Sequence, residues 1–284
     1  MRVLRAAALS LSAIVVVGAI AGGVYWAVSS STSRPQLDPV GASGDGFPVT
    51  VVSGVQGQQS QNGDSVSGSN PTAEQPQAVP TPTATAAPQV SIDIYIDYLS
   101  PQAKEFQLAN VQQLSTWVEQ KSVNLTYFPV AMLTAKSNGT KYSVRAASAA
   151  ACVATYAPDK FFSFNNELLR TQPDQDAAGP SDDQLATLAT SAGVASTDVK
   201  PCILGENYLN WVKDATDRAL AGIPGTKGVT LTSTPMILVN GTPYLGALGD
   251  PKEFQQFVLT VSSDAYYNTA SPTPTPTASV TPAH

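Results

Sequence analysis

Histidine is almost missing from this chain of 284 residues: the single one, His284, ends a Thr/Pro-rich tail. Nothing there fixes its side chain, so the sequence excludes Ser-His-Asp and Cys-His nucleophilic machinery, His-ligated zinc and a histidine general base in the folded part. Cysteine is nearly as scarce. Cys152 and Cys202 are the only two, which leaves no Cys-x-x-Cys pair and no four-thiolate metal site. Neither a metal nor a cofactor is expected. Lys and Arg number 15 against 21 Asp and Glu, a net charge of −6, and no basic run occurs. A nucleic-acid partner would need a basic face to neutralise phosphates, so none is expected.

Charge is also absent from residues 6–28, an apolar run broken only by Ser10 and Ser12. That run is long enough to cross ~30 Å of hydrocarbon as a helix. Arg2 and Arg5 precede it, and basic residues hold their end on the cytoplasmic side; Tyr25 and Trp26 lie at the far end, where amphipathic rings favour the interface. A cleaved signal peptide is the competing reading, with small residues at Ala27-Val28-Ser29, but the run exceeds the usual ~7–15-residue signal core. The expectation is a single-pass cell-membrane anchor at 1–30, with a cytoplasmic N-terminus and all that follows extracytoplasmic.

Two stretches, 31–88 and 268–284, hold 12 of the 22 prolines. The first is dominated by Ser, Gly, Gln, Thr and Pro, with Phe47 its only aromatic. It cannot bury enough apolar area to offset ordering entropy, so a disordered linker is expected, and the Pro-Thr repeats of the second read as a disordered tail. Within the linker, 48–55 carries a Val-Thr-Val-Val run that could add an edge strand. What remains, 89–267, is one domain, large enough to hold a core without extra staples.

In that domain Val90, Ile92, Ile94 and Ile96 alternate with Ser91, Asp93, Tyr95 and Asp97, the two-residue period of a strand. Asp93 and Asp97 are read as a solvated strand face and strand end. Ser100 suits an N-cap with Pro101 in the first turn of a helix; a second strand follows at 123–130. From about 142 to 221 the pattern is helical, with a capping box at Ser181 and Gln184 and an Asp214/Arg218 pair at i,i+4. Asn240-Gly241 between short apolar runs predicts a tight hairpin of strands 236–239 and 242–245. Asp250, Pro251 and Glu253 supply a cap, a first-turn proline and a capping-box acid for a last helix. The order β-α-β, helical block, β-β-α predicts an α/β (α+β) fold: a mixed sheet with a helical subdomain inserted after the second strand.

Three features give this order a likeness. Ile96-Asp97-Tyr98-Leu99-Ser100-Pro101-Gln102-Ala103-Lys104-Glu105-Phe106 resembles the active-site turn of DsbA-like thioredoxin-fold proteins, extracytoplasmic disulfide oxidoreductases of bacteria, in which it reads Asp-Tyr-x-Cys-Pro-x-Cys-Lys-x-Phe. Ser233-Thr234-Pro235-Met236-Ile237-Leu238-Val239-Asn240-Gly241 is similar to that family's Thr-Pro segment, which implies a cis proline facing the active site. Cys152 and Cys202 fall in the helical block, where some membrane-linked members carry a structural disulfide, and the resemblance implies the same pairing here.

The departure is chemical. Ser100 stands at the position of the nucleophilic cysteine and Ala103 at that of the resolving one. A serine hydroxyl stays protonated at neutral pH and does not enter thiol-disulfide exchange, and alanine resolves nothing. The resemblance therefore implies a degenerate turn, Ser100, Pro101, Gln102 and Ala103, beside a groove at Thr234 and Pro235. That groove can still receive an extracytoplasmic protein or peptide by backbone pairing, as it does in relatives. The alternative is an enzyme: a Ser-Pro turn also resembles kappa-class glutathione transferases, which hold a glutathione thiolate with a serine hydroxyl.

Overall fold

A computed structural model describes residues 37–52 and 90–269. The anchor expected at 1–30, the linker from 53 on and the tail beyond 269 lie outside the described residues. Among the described residues no helix is long and apolar enough to cross a membrane. Contacts divide the chain after Asp38, and every element below belongs to the unit that begins at Pro39.

Strands β1 (Phe47–Val49), β2 (Val90–Ile96), β3 (Val123–Pro129), β4 (Met236–Val239) and β5 (Thr242–Pro243) form one sheet in the order β1-β3-β2-β4-β5. Helix α1 (Pro101–Glu119) carries the chain back between β2 and β3, so those two pair in parallel, Ile94 against Tyr127. The other pairs are antiparallel. Strand β2 is central, and its alternation sends Ile92, Ile94 and Ile96 into the main core with Phe106 and Leu114 of α1. The hairpin turn forms at Asn240 and Gly241, whose φ values of 47° and 76° are the positive angles such a turn requires. Strand β5 ends at Pro243, earlier than the alternation suggests, and Leu245 turns out to 92% exposure.

Between β3 and β4 lies the helical subdomain: α2 (Tyr142–Tyr156), α3 (Phe161–Arg170), α4 (Asp182–Ser191), α5 (Val199–Leu204) and α6 (Leu209–Ala221). Ala146, Ala147, Ala149, Ala150 and Ala151 are buried along α2, and their small side chains let α3, α5 and α6 pack closely around it. A disulfide joins Cys152 of α2 to Cys202 of α5, both buried. Local signals act as their chemistry demands. The Ser181 hydroxyl accepts from the Gln184 amide while the Gln184 side chain accepts from the Ser181 amide. Asp250 caps α7 (Pro251–Thr269) by accepting from the amides of Lys252 and Glu253. Glu253 reaches back beyond its cap to the Ala247 amide instead.

Strand β1 interrupts the stretch 31–88 read as linker, and the edge strand considered at 48–55 forms slightly earlier, at Phe47–Val49. Phe47 is only 2% exposed, with its ring 5.4 Å from those of Phe161 and Trp211, and Phe47–Val49 pairs antiparallel with β3. Burying one such ring stabilises the docked strand by ~1.5–3 kcal/mol, which the polar average composition of the stretch conceals. The same segment redirects Arg218. The guanidinium, expected to face Asp214 one turn earlier, meets Asp45 through two hydrogen bonds of 2.6 and 2.8 Å.

Candidate functional site

The turn after β2 and the start of β4 meet at the N-terminus of α1. Ser100 is the N-cap: its hydroxyl accepts from the Ala103 amide at 3.3 Å, and Pro101 occupies the first turn. Across from it the Thr234-Pro235 peptide is cis. The Ser100 hydroxyl donates to the Thr234 carbonyl at 2.5 Å, so the turn is tied directly to the residue before that proline. A groove of about 430 Å³ opens beside them, lined among others by Ser100, Gln102, Leu133, Thr232, Thr234 and Pro235. Structure thus brings together Ser100, Gln102, Thr234 and Pro235. Ala103 is fully buried under the turn, and the Cys152–Cys202 pair belongs to the helical subdomain rather than to the groove lining.

Asp97 is the largest correction at the site. It is not a solvated strand end but fully buried. Its carboxylate accepts from the amides of Leu99 at 2.9 Å and Leu133 at 2.8 Å, and from the Ser143 hydroxyl, which lies 2.8 Å from each oxygen. Burial pushes the Asp97 pKa up, and these donors pull it back towards the usual range. The effect is to fasten three segments, the turn, the loop after β3 and α2, at one point directly below Ser100.

Other positioning groups carried no sequence signal. The Gln172 side-chain amide donates to the carbonyls of Tyr98 and Ser100, both at 3.0 Å, so the segment after α3 grips the turn from outside. The Tyr98 hydroxyl donates to Asn165 at 2.8 Å, and the Tyr127 hydroxyl to Gln107 at 2.7 Å, in a buried polar layer between α1, β3 and α3. Burial raises the pKa of both phenols, so both remain protonated donors. Glutamine and asparagine in helices look like ordinary surface residues until the fold buries them.

Chemically, the turn offers a hydroxyl at the positive end of a helix dipole. The described residues hold no histidine to take its proton, and no group of three or more His, Cys, Asp or Glu among them could hold a metal ion. Its one proton is directed at the Thr234 carbonyl.

Sheet order, inserted helices and a cis proline opposite a helix N-terminus define a DsbA-like thioredoxin fold. The family described as Thioredoxin matches residues 84–259, more than half of the chain, and the chain belongs to that family. The reduced form of a disulfide bond oxidoreductase, DsbG, from Mycobacterium tuberculosis is similar at 28% identity and a TM-score of 0.53, over 67% of this chain and 89% of that one. DsbA of Mycobacterium tuberculosis in its oxidised form is similar at 27% identity and a TM-score of 0.53, over 67% and 94% of the two chains. BdbD of Bacillus subtilis, at 22% identity, a TM-score of 0.51 and coverages of 63% and 90%, shares the fold. No curated protein matches the chain.

Proposed function

We propose that this chain is a redox-inactive member of its family: an extracytoplasmic binding module, tethered to the membrane through 1–30, whose groove beside Pro235 receives an extended segment of a protein or peptide. The observation that carries this reading is the state of Ser100. The residue has no thiol, is 1% exposed, and spends its hydroxyl proton on the Thr234 carbonyl, while Ala103 offers nothing to resolve an intermediate. The same bond weighs against the transferase alternative, in which this hydroxyl would have to turn outward and donate to a thiolate. The groove itself is intact, with exposed Thr232 and Ser233 leading to the cis peptide and free to meet an incoming backbone.

The test is capture in place. A photo-crosslinker at exposed Gln102 in the membrane-tethered chain should trap a defined set of extracytoplasmic segments, and Thr232→Arg, which fills the groove without touching the core, should abolish that set. The same partners captured by the Thr232→Arg chain would refute the groove. Insulin reduction above background by the unmodified protein would refute redox inactivity, and tight calorimetric binding of glutathione would restore the transferase reading.

A further inference from the structure

The sheet has a second concavity. On the face opposite the isoleucines, Ser91, Asp93 and Tyr95 of β2 line a cavity of about 630 Å³, within the size range of small-ligand sites. Its walls are the turn at 43–45 and the loop at 223–226, with Asn240 and Gly241 at one end. Gly46 is what lets the first wall lie so close, since a Cβ there would come within 2.6 Å of the Phe128 and Thr126 side chains. The Asp45–Arg218 pair ties the first wall to α6, the helix that leads into the second.

Asp93 occupies the middle of the central strand, opposite Thr126 of β3 and Leu238 of β4. A β-branched or aromatic side chain suits such a position, and a carboxylate does not. No hydrogen bond or ion pair within the described residues reaches it, and burial alone raises its pKa. Four residues further on, Asp97 shows what the fold does with an acid it needs: three donors converge on it. Asp93 is half-buried with none, at a cost that no internal contact offsets.

The charged and titratable groups around the cavity are few. Asp45 and Arg218 neutralise each other; burial, then the fields of Asp93 and Asp45, keep the Tyr95 phenol protonated; the other lining residues are uncharged. The cavity therefore has one uncompensated negative charge on its floor, which repels anions. No metal ligand set accompanies it among the described residues. Arg218 already presents a guanidinium to Asp45 in the forked geometry, so what is missing is a compact cation that approaches Asp93 alone.

We propose that this cavity binds a primary ammonium group, with the Asp93 carboxylate as its counter-ion and the sheet face around Tyr95 as its floor. The ammonium comes either from a free alkylamine or from a lysine side chain of another protein, and the chemistry at Asp93 is the same for both. The site shares no residue with the groove beside Pro235, so it stands or falls independently of the function proposed there.

The full-length chain, labelled with ¹³C at aspartate carboxyls, is titrated with cadaverine and, separately, with a blocked pentapeptide carrying one central lysine. Tetramethylammonium at matched ionic strength, which has no N–H donor, is the control. The expected result is a saturable shift of the Asp93 carboxyl signal, a lower titration midpoint for it in the bound state, and at least tenfold weaker binding by Asp93→Asn. Tighter binding of the diamine assigns a free amine, and tighter binding of the peptide assigns a lysine side chain. No saturable shift with either probe, an equal response to tetramethylammonium, or undiminished binding by Asp93→Asn would overturn the proposal. Because no donor depends on Asp93, the variant should melt at or above the parent temperature; a lower melting temperature would show that the carboxylate has a structural partner and overturn the premise.

Discussion

Replacing both members of the Cys152–Cys202 pair with alanine is the perturbation whose size follows most directly from the fold. The bridge spans a sequence separation of 50 residues, from α2, the first helix of the helical subdomain, to α5. On the chain-entropy model a loop of this length restricts the unfolded ensemble by ~4 kcal/mol at 25 °C. A domain of roughly this size loses ~2–4 °C of melting temperature per kcal/mol, so the double variant should melt ~8–16 °C lower. Alanine avoids burying the hydroxyls that serine would introduce, and the effect then reports loop closure with only a small packing loss. Both sulfurs are buried, so the parent should resist reductant until it opens, and its melting curve should fall to that of the variant only after denaturation with reductant present. Calorimetry with and without reductant measures this. A loss of less than about 3 °C would refute the entropic reasoning, for which roughly 1 kcal/mol is too small. Two cysteines open to alkylation in material never exposed to reductant would refute the pairing itself. The groove should be unaffected, because the bridge contributes nothing to its lining.

Three further outcomes are expected. Burial holds the folded Asp97 carboxyl above its ordinary value of 3.8, so the native state keeps a proton that the unfolded chain releases, and stability falls as pH rises through that window. Urea unfolding across pH should show that slope reduced in Asp97→Asn, together with a pH-independent loss of ~1–3 kcal/mol from the Leu133 amide left facing an NH₂ group; an unchanged slope would assign the dependence elsewhere. Phe47→Ala should cost ~3 kcal/mol and accelerate amide exchange along the β1–β3 ladder while leaving the Ser100–Thr234 region unchanged; unaltered exchange in that ladder would mean that Phe47 does not hold the strand. Ser100→Cys with Ala103→Cys should place a dithiol at the helix N-terminus beside Pro235, with the first thiol below the ordinary ~8.5; alkylation rates against pH test this, and a thiol no more reactive than free cysteine would show that the turn does not present position 100 as its relatives do.

Much of the frame was legible because its signals are local. The caps at Ser100, Ser181 and Asp250 and the turn at Asn240-Gly241 satisfy backbone groups within a few residues, so the neighbours alone specify them. The period of Val90 to Ile96 likewise marks a strand whatever lies beside it. The lack of a thiol at Ser100 and Ala103 was readable at the level of chemistry, since no fold turns a hydroxyl into a thiol. By contrast, β1 was only hinted at by the valines of 48–55, and the part played by Phe47 was hidden, because its packing comes from Phe161 and Trp211, more than a hundred residues away. Glu253 missed its expected partner because the loop before the helix offered the Ala247 amide instead.

The two aspartates of β2 draw the line most sharply. In the sequence they are the same letter in the same alternation, and both read as solvated. Local order follows from short-range hydrogen bonding and side-chain period, which a linear reading contains: most of the elements, their sequence, and the absence of a thiol at the turn. What an acid experiences depends on which distant donors and walls arrive around it. Leu133 and Ser143 converge on Asp97 and consume it structurally, whereas the turn at 43–45 and the loop at 223–226 flank Asp93 and, among the described residues, leave it unmet. Desolvation and long-range hydrogen bonding are sums over the folded neighbourhood, so only the tertiary structure could separate a buried anchor from a carboxylate awaiting a partner.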